Sequence, residues 1–186
     1  NGPGAPAARP AFEALVDWIM ELQEEPLADG NTAPKSDVPA SGAVESTPGW
    51  EYVGGASYSG TSVGYHKLIG SDPGVVSESF STVGYLEAAA SFSVATYGGS
   101  SANVLTLSYS LDGGTTWVAF GTNDSATASS PYVSGSASLP AAALGQGSVR
   151  VKWHCAVATE SVGLRLQALK VTGVQPAGCN TLVLAA

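Results

Sequence analysis

The chain has 186 residues, which is enough for one packed domain with an appendage. Its formal net charge of −8 comes from 15 acidic and 7 basic residues, and this balance argues against nucleic acid as a partner because phosphate binding needs clustered Lys and Arg. Charged residues make up only 12% of the chain, against roughly 25% in typical globular domains, and the 23 glycines favour a β-protein with many turns.

The first predicted element is an amphipathic helix from about Pro10 to Glu25. A proline is suited to the first turn of a helix, and apolar residues follow at the spacing of three and four that lines one helical face: Phe12, Leu15, Val16, Ile19 and Leu22. Such a face must be buried against something. We therefore assign residues 1–28 to an N-terminal helical segment.

The next stretch carries no hydrophobic period. Residues 26–48 contain four prolines, and proline is excluded from helix interiors and from central strands. We predict that residues 29–48 form a linker or wrapping loop, and that residues 49–186 form the main domain with a C-terminal tail.

From Gly49 onward the apolar residues recur with a period of two, which is typical of strands with one buried face. The clearest inward sets are Val149, Val151, Trp153 and Cys155, and Leu105, Leu107, Tyr109 and Leu111, the latter with Ser108 and Ser110 facing outward. Phe92 and Val94 begin another strand, and further strands are predicted at residues 49–53, 62–69, 75–80, 116–121, 132–139 and 181–184.

The last long strand changes phase. Leu164 and Leu166 share one face, whereas Leu169 and Val171 continue on the opposite phase. A β-bulge near Ala168 or Leu169 would reconcile the two halves. About ten short strands with turns between them predict a mainly β fold, an antiparallel β-sandwich (jelly roll) preceded by one N-terminal α-helix.

The sharpest local motif is the octet Ser-Leu-Asp-Gly-Gly-Thr-Thr-Trp at residues 110–117, because Asp-Gly between alternating segments predicts a hairpin. The octet resembles the Asp-box turn of sialidase propellers, in which the Asp caps backbone groups and the Trp packs on the hairpin. A sialidase would need several such boxes and an arginine triad, whereas this chain has one box and three arginines in all. Asp112 and Trp117 are therefore interpreted as turn scaffold.

A longer resemblance covers about Trp50 to Gly173. It rests on Ala-Ser-Phe-Ser-Val-Ala-Thr-Tyr (residues 90–97), on residues 105–117, on Val-Arg-Val-Lys-Trp (149–153) and on Leu-Lys-Val-Thr-Gly (169–173). These segments resemble jelly-roll modules of secreted and surface lipoproteins of gut Bacteroidetes, which are similar to carbohydrate-binding and galactose-binding-like domains. The resemblance implies a ligand-binding sandwich outside the cell and carries over no binding residue.

Catalysis has little support in the sequence. A Ser-His-Asp arrangement would require His66 or His154, and no Gly-x-Ser-x-Gly elbow accompanies either, so both are interpreted as outward strand residues. Carboxylates such as Glu51 and Asp72 could serve a glycosidase- or lyase-type enzyme only if the fold paired them. We predict a protein that is not an enzyme.

Aromatic side chains are the candidate ligand contacts, since an exposed ring stacks on the apolar face of a sugar. The candidates in loops or at outward positions are Trp50, Tyr58, Tyr65, Tyr97 and Tyr132. We predict a non-catalytic surface module with carbohydrate as the expected ligand. The alternative is a structural or adhesion domain that binds a surface protein, with the N-terminal helix docking on a partner.

No cofactor is expected, apart from a candidate structural calcium ion held by Asp72, Asn123 and Asp124, since calcium takes oxygen ligands from loops. Cys155 and Cys179 can form one disulfide, and Cys155 in phase with the core argues equally for a buried thiol.

Hydropathy and the first residues bear on where the protein acts. No apolar run reaches the roughly 20 residues that a membrane span needs. The chain starts at Asn1 without a signal peptide, so we expect that a targeting segment has been removed, with a lipid anchor upstream of Asn1 as a candidate. We predict a location that is secreted, periplasmic or on the outer cell surface.

Overall fold

The computed structural model describes residues 22–29, 50–59, 64–98, 103–123, 132–155 and 162–176. Within these ranges the chain forms two antiparallel sheets and one short 3₁₀ helix, Ala141–Ala143. The six-stranded sheet contains β1 (Leu22–Asp29), β3 (Ser57–Ser59), β4 (Tyr65–Leu68), β6 (Glu87–Tyr97), β9 (Val133–Ser138) and β11 (Gly163–Pro176). The five-stranded sheet contains β2 (Glu51–Val53), β5 (Gly74–Val76), β7 (Leu105–Ser110), β8 (Val118–Asn123) and β10 (Arg150–Cys155).

The strand order identifies a β-sandwich, as the alternation of apolar residues predicted. The larger sheet runs β3-β4-β11-β6-β9, with β1 also beside β11, and the smaller runs β2-β5-β10-β7-β8. One core lies between them, and its fully buried members include Leu68, Val94, Leu105, Val149, Val151, Trp153, Leu164, Leu166, Leu169 and Val171. Each of these strands therefore has one face in the core and the other outside it.

The change of phase in β11 is resolved by a bulge. The pairing with β6 moves from Gln167↔Ser93 to Lys170↔Ser91, so β11 contains one more residue than β6 over this interval. Ala168, an exposed residue, takes a left-handed conformation with φ of 53°. The predicted bulge is confirmed, and it returns Leu169 and Val171 to the core.

The N-terminal prediction is wrong where the structure describes it. Residues 22–25, expected to end a helix, belong to β1, and the part of the chain that is described contains no α-helix. Residues 10–21 lie outside the described residues.

The expected loop also begins later than predicted, because β1 continues to Asp29. Pro26 is accommodated since β1 lies at the edge of its sheet and its register shifts between Pro26 and Ala28. On this side of β11, β4 pairs with residues 164–166, and β1 pairs with residues 170–176. The division of the chain at residues 28 and 48 stays a prediction, with β1 now part of the sheet.

Several side chains depart from the predicted faces. Ser108 and Ser110 are outward but buried, at 4% and 2% exposure, whereas Leu111 was expected in the core and is 41% exposed. The hairpin of residues 110–117 accounts for this burial: the Gly114 amide donates to the Ser110 hydroxyl, and Trp117 lies close to Lys152, which is opposite Ser108. His66 was expected to face outward, but it is 5% exposed and its Nδ1 lies 2.8 Å from the Tyr52 hydroxyl.

Cys155 lies in the core, where the Cys155 thiol donates to Asn103 Oδ1 at 3.9 Å. Cys179 lies outside the described residues, so the pairing of the two cysteines stays a prediction. Across the described ranges there is no helix with the length and hydrophobicity needed to cross a membrane.

Candidate binding site

The hairpin between β7 and β8 is organised by its own side chains. The Asp112 carboxylate accepts hydrogen bonds from the Thr116 amide at 2.9 Å, the Thr116 hydroxyl at 2.6 Å and the Ser110 hydroxyl at 2.7 Å. These bonds, those from Thr116 first, hold the pKa of Asp112 well below its usual range. Gly113 and Gly114 supply the positive φ angles of the turn, 74° and 102°. The turn thereby fixes where Trp117 leaves the hairpin.

Arg150 ties this hairpin to the rest of the five-stranded sheet. Its Nη1 donates to the Gly113 carbonyl at 3.3 Å and its Nε donates to the Ser77 carbonyl at 3.0 Å. Its Nη2 forms an ion pair with Glu51 at 2.9 Å. The side chain of Arg150 is only 12% exposed. This cation therefore joins the hairpin at Gly113, the backbone at Ser77 and the side chain of Glu51.

A cavity of about 350 Å³ opens on this outer face of the sheet. Its lining includes Glu51, Asp72, Trp117, Arg150 and Lys152, and we call it the Trp117 pocket. Lys152 is 8% exposed, its ammonium lies 5.3 Å from the centre of the Trp117 ring, and it lies 3.5 Å from Asp72 Oδ2. An indole ring, an ammonium and a carboxylate therefore converge in a cavity of the size that small ligands occupy.

The Asp72 carboxylate is positioned by a hydrogen-bonded chain. Its Oδ1 lies 2.8 Å from His154 Nδ1, and His154 Nε2 lies 3.1 Å from the Ser108 hydroxyl. Burial lowers the pKa of His154, and the hydrogen bond to Asp72 opposes that shift without cancelling it, so the ring is neutral at neutral pH. Because a carboxylate only accepts, Nδ1 carries the proton and Nε2 accepts from Ser108.

The hydrogen bonds that join Ser108, His154 and Asp72 follow the order of a Ser-His-Asp triad, but the serine is not accessible to a substrate. A catalytic serine must meet the substrate, whereas Ser108 is 4% exposed in the middle of β7 and does not line the Trp117 pocket. Glu51 and Asp72 line the pocket, but each already pairs with a cation. These three side chains therefore hold Asp72 in place, and their serine is not an exposed nucleophile.

Two of the predicted aromatic contacts face inward. Trp50 is 5% exposed and stacks on Trp153, with ring centres 5.7 Å apart, so the prediction that it lies outward is wrong. Tyr58 lies opposite His66 in the register of β3 and β4 and meets the His66 ring edge-on at 5.8 Å. Trp50 is therefore part of the core, and Tyr58 packs against the buried ring of His66.

The other three predicted aromatics lie together on the outer face of the six-stranded sheet. Tyr65 and Tyr132 flank Arg165, whose guanidinium carbon lies 5.7 Å and 5.6 Å from the two ring centres. The Lys67 ammonium lies 4.5 Å from the centre of the Tyr97 ring. We call Tyr65, Lys67, Tyr97, Tyr132 and Arg165 the tyrosine face. It is on the sheet opposite to that of the Trp117 pocket.

The strand order separates the backbones of two predicted calcium ligands, Asp72 and Asn123. Asp72 precedes β5 and pairs with Lys152 and His154, whereas Asn123 ends β8, beyond β10 and β7 in the sheet. Three strand spacings are about 14 Å, much more than the reach of ligands around one ion. Asp124 lies outside the described residues, and within them no group of three His, Cys, Asp or Glu side chains could hold a metal ion. The calcium ion stays a prediction.

The sequence interpretation missed the residues that form the pocket. Arg150 and Lys152 alternate in sequence with the inward residues of β10, and the sequence analysis assigns them to no site. It interprets Trp117 as turn scaffold. The shared outward direction of Arg150 and Lys152 on β10 could have been used to place them on one surface. The local sequence does not show that the hairpin brings Trp117 close to Lys152.

No protein-family model matches the chain, and no curated protein matches it by sequence. Among solved structures, the N-terminal CBM22-1–CBM22-2 tandem domain of Paenibacillus barcinonensis Xyn10C gives a TM-score of 0.53 at 15% identity, covering 87% of this chain and 48% of that chain. The CBM22-1–GH10 modules of Clostridium thermocellum endo-1,4-beta-D-xylanase 10B, complexed with xylohexaose, give 0.53 at 17% identity, covering 88% and 30%. The chain thus spans less than half of either protein and shares a β-sandwich fold with their carbohydrate-binding modules.

Proposed function

We propose that this protein is a non-catalytic carbohydrate-binding module of jelly-roll type, and that the Trp117 pocket takes a neutral saccharide. The observation that carries the proposal is the convergence of the Trp117 ring, the Lys152 ammonium and the Asp72 carboxylate in one cavity of about 350 Å³. A sugar ring has an apolar face for the indole and hydroxyl groups that both donate to a carboxylate and accept from an ammonium.

The charges of the pocket favour a neutral ligand. Arg150 is compensated by Glu51, Lys152 is compensated by Asp72, and His154 is neutral at neutral pH. A cationic ligand would draw a carboxylate away from Arg150 or Lys152, whose side chains are only 12% and 11% exposed, and would leave that buried cation unpaired. An anionic ligand would be repelled by the Glu51 or Asp72 carboxylate. Hydroxyl groups can instead add to both members of the Lys152–Asp72 pair, since an ammonium has three donors and a carboxylate about four acceptor positions.

The wider role follows from this proposal. A module of this kind acts outside the cell, so we keep the secreted, periplasmic or surface location as part of it, with the lipid anchor upstream of residue 1 and the kinship to Bacteroidetes lipoproteins as further expectations. The adhesion alternative rested on the helix from Pro10 to Glu25, of which the described part, from Leu22, is strand β1.

The test is affinity gel electrophoresis and calorimetry with neutral saccharides. Xylohexaose is the first probe, because the similar xylanase was solved with it; xylan, a soluble β-glucan and a galactan follow. We expect Trp117→Ala to weaken binding at least about tenfold, the usual cost of truncating an aromatic anchor. Lys152→Met keeps most of the aliphatic stem but removes the ammonium that lies 5.3 Å from the centre of the Trp117 ring, and should also weaken binding.

The matched control is Tyr97→Ala, which removes an aromatic ring from the opposite sheet and should leave neutral saccharide binding unchanged. The proposal fails if the wild-type protein binds none of these probes, or if Trp117→Ala binds as tightly as the wild type while Tyr97→Ala does not.

A further inference from the structure

The tyrosine face is assembled by four strands of the six-stranded sheet. Tyr65 and Lys67 come from β4, Arg165 from β11, Tyr97 from β6, and Tyr132 immediately precedes β9. Arg165 pairs with Lys67 on one side and with Ala95 on the other, so the side chains form a band across the sheet. Strands separated by several dozen residues in sequence thus contribute to one surface.

The side chains of the tyrosine face are held in place by close packing on the sheet and by a hydrogen bond to the backbone. Ala95 points to this outer face and yet is 0% exposed, because longer side chains cover it. Arg165 Nε donates to the Thr96 carbonyl at 3.0 Å, which fixes the guanidinium between the rings of Tyr65 and Tyr132. Burial raises the pKa of Tyr132 despite the opposing effect of Arg165, so its hydroxyl remains a donor.

The band continues into a surface of hydroxyl groups. Along β6 and β9, Ser93 lies opposite Ser134 and Ser91 lies opposite Ser136, with the Ser93 and Ser134 oxygens 2.8 Å apart. Tyrosine rings beside ordered hydroxyl groups form a surface that can lie along a sugar chain, with apolar contact at one end and hydrogen bonds at the other.

The charge of this face differs from that of the protein. The chain as a whole carries −8, whereas Lys67 forms no ion pair with any described carboxylate and contacts the Tyr97 ring instead. The outward neighbours of the band on β3, β6, β9 and β11 include Ser57, Ser59, Ser93, Ser134 and Gln167, and none of these is acidic. A ligand carboxylate would give Lys67 the partner that the described residues do not provide.

We propose that the tyrosine face is a second saccharide site, separate from the Trp117 pocket, and that its ligand is an acidic saccharide that carries uronic-acid carboxylates. The carboxylate pairs with Lys67 beside Arg165, and the sugar rings lie against the tyrosines. The inference goes beyond the proposed function, because neither site requires the other.

The experiment compares polygalacturonate with the same polymer after reduction of its carboxyl groups to alcohols, by affinity gel electrophoresis. We expect polygalacturonate to retard the wild-type protein and the reduced polymer to retard it at least about tenfold less, the effect of losing one charge-assisted contact. Lys67→Met, which keeps the aliphatic stem, should lose most of the retardation, and Tyr97→Ala should do the same. Added salt should weaken binding, since part of it is ionic.

Trp117→Ala is the control that separates this site from the pocket, and it should bind polygalacturonate as the wild type does. The inference is overturned if the reduced polymer binds equally well, if Lys67→Met has no effect, or if Trp117→Ala abolishes binding. Poly-glutamate provides the last arm: equal retardation by this polyanion, which has no sugar rings, would show a simple cationic patch and would also refute the inference.

Discussion

Replacing Ala168 by glycine should stabilise the protein. Ala168 holds φ of 53° at the bulge of β11, and the left-handed conformation costs a residue with a Cβ about 1–2 kcal/mol. Glycine removes that cost but adds about 0.5–1 kcal/mol of chain entropy in the unfolded state. Because Ala168 is exposed, the lost methyl group matters little. The net gain is about 0.5–1 kcal/mol, which raises Tm by about 1–4 °C for a chain of this size.

The matched control is Ala89→Gly. Ala89 is half-buried in β6, where it pairs with Thr172 and Ser138 in ordinary extended backbone. Glycine there should destabilise the protein by about 0.5–1 kcal/mol, since only the entropic cost remains. Urea denaturation of the three proteins gives both differences. If Ala168→Gly is destabilising to the same extent as Ala89→Gly, the reasoning from backbone conformation is refuted.

Two further changes probe the core and the sheet. Burial lowers the pKa of His66 to about 4, so the unfolded state binds more protons between pH 4 and the ordinary value near 6.5, and stability falls as pH falls through that range. Relative to His66→Gln, whose amide can still form a hydrogen bond with Tyr52, the wild type should lose about 2 kcal/mol of unfolding free energy between about pH 7 and about pH 4.5 in urea denaturation. The same dependence of stability on pH in both proteins would contradict this. Gly163→Ala would drive a Cβ into the Leu68 carbonyl oxygen and should cost about 1–3 kcal/mol. Gly147→Ala, whose Cβ meets nothing within 4 Å, should stay within about 0.5 kcal/mol of the wild type, and similar values for the two glycine variants would contradict the predicted clash.

The two proposed sites give different expectations for the same variants, which makes them separable. Loss of neutral saccharide binding should follow the Trp117 pocket, and loss of acidic saccharide binding should follow the tyrosine face. Since the two surfaces lie on opposite sheets of one sandwich, a protein with both could hold a neutral and an acidic chain at once.

The local pattern of the sequence was sufficient for the parts of the fold that depend on neighbours along the chain. The alternation in residues 149–155 determines which side chains of β10 face the core, because successive residues of a strand point to opposite faces. The change of phase between Leu166 and Leu169 required a bulge, since only an extra residue returns both to the same core. Asp112-Gly113 required a turn because the conformation needs positive φ.

The tertiary structure decided which strands are neighbours and which side chains meet. Pairing between strands that are distant in sequence produces no pattern in the local sequence. Residues 22–25 fit a helical spacing, yet they become strand because the second half of β11 offers backbone groups that β1 can pair with. Trp117 meets Lys152 only because β10 lies beside β7, more than 40 positions away along the chain. Likewise, the outward phase of Tyr65, Tyr97 and Tyr132 is a property of each strand, but their meeting around Arg165 and Lys67 is a property of the strand order.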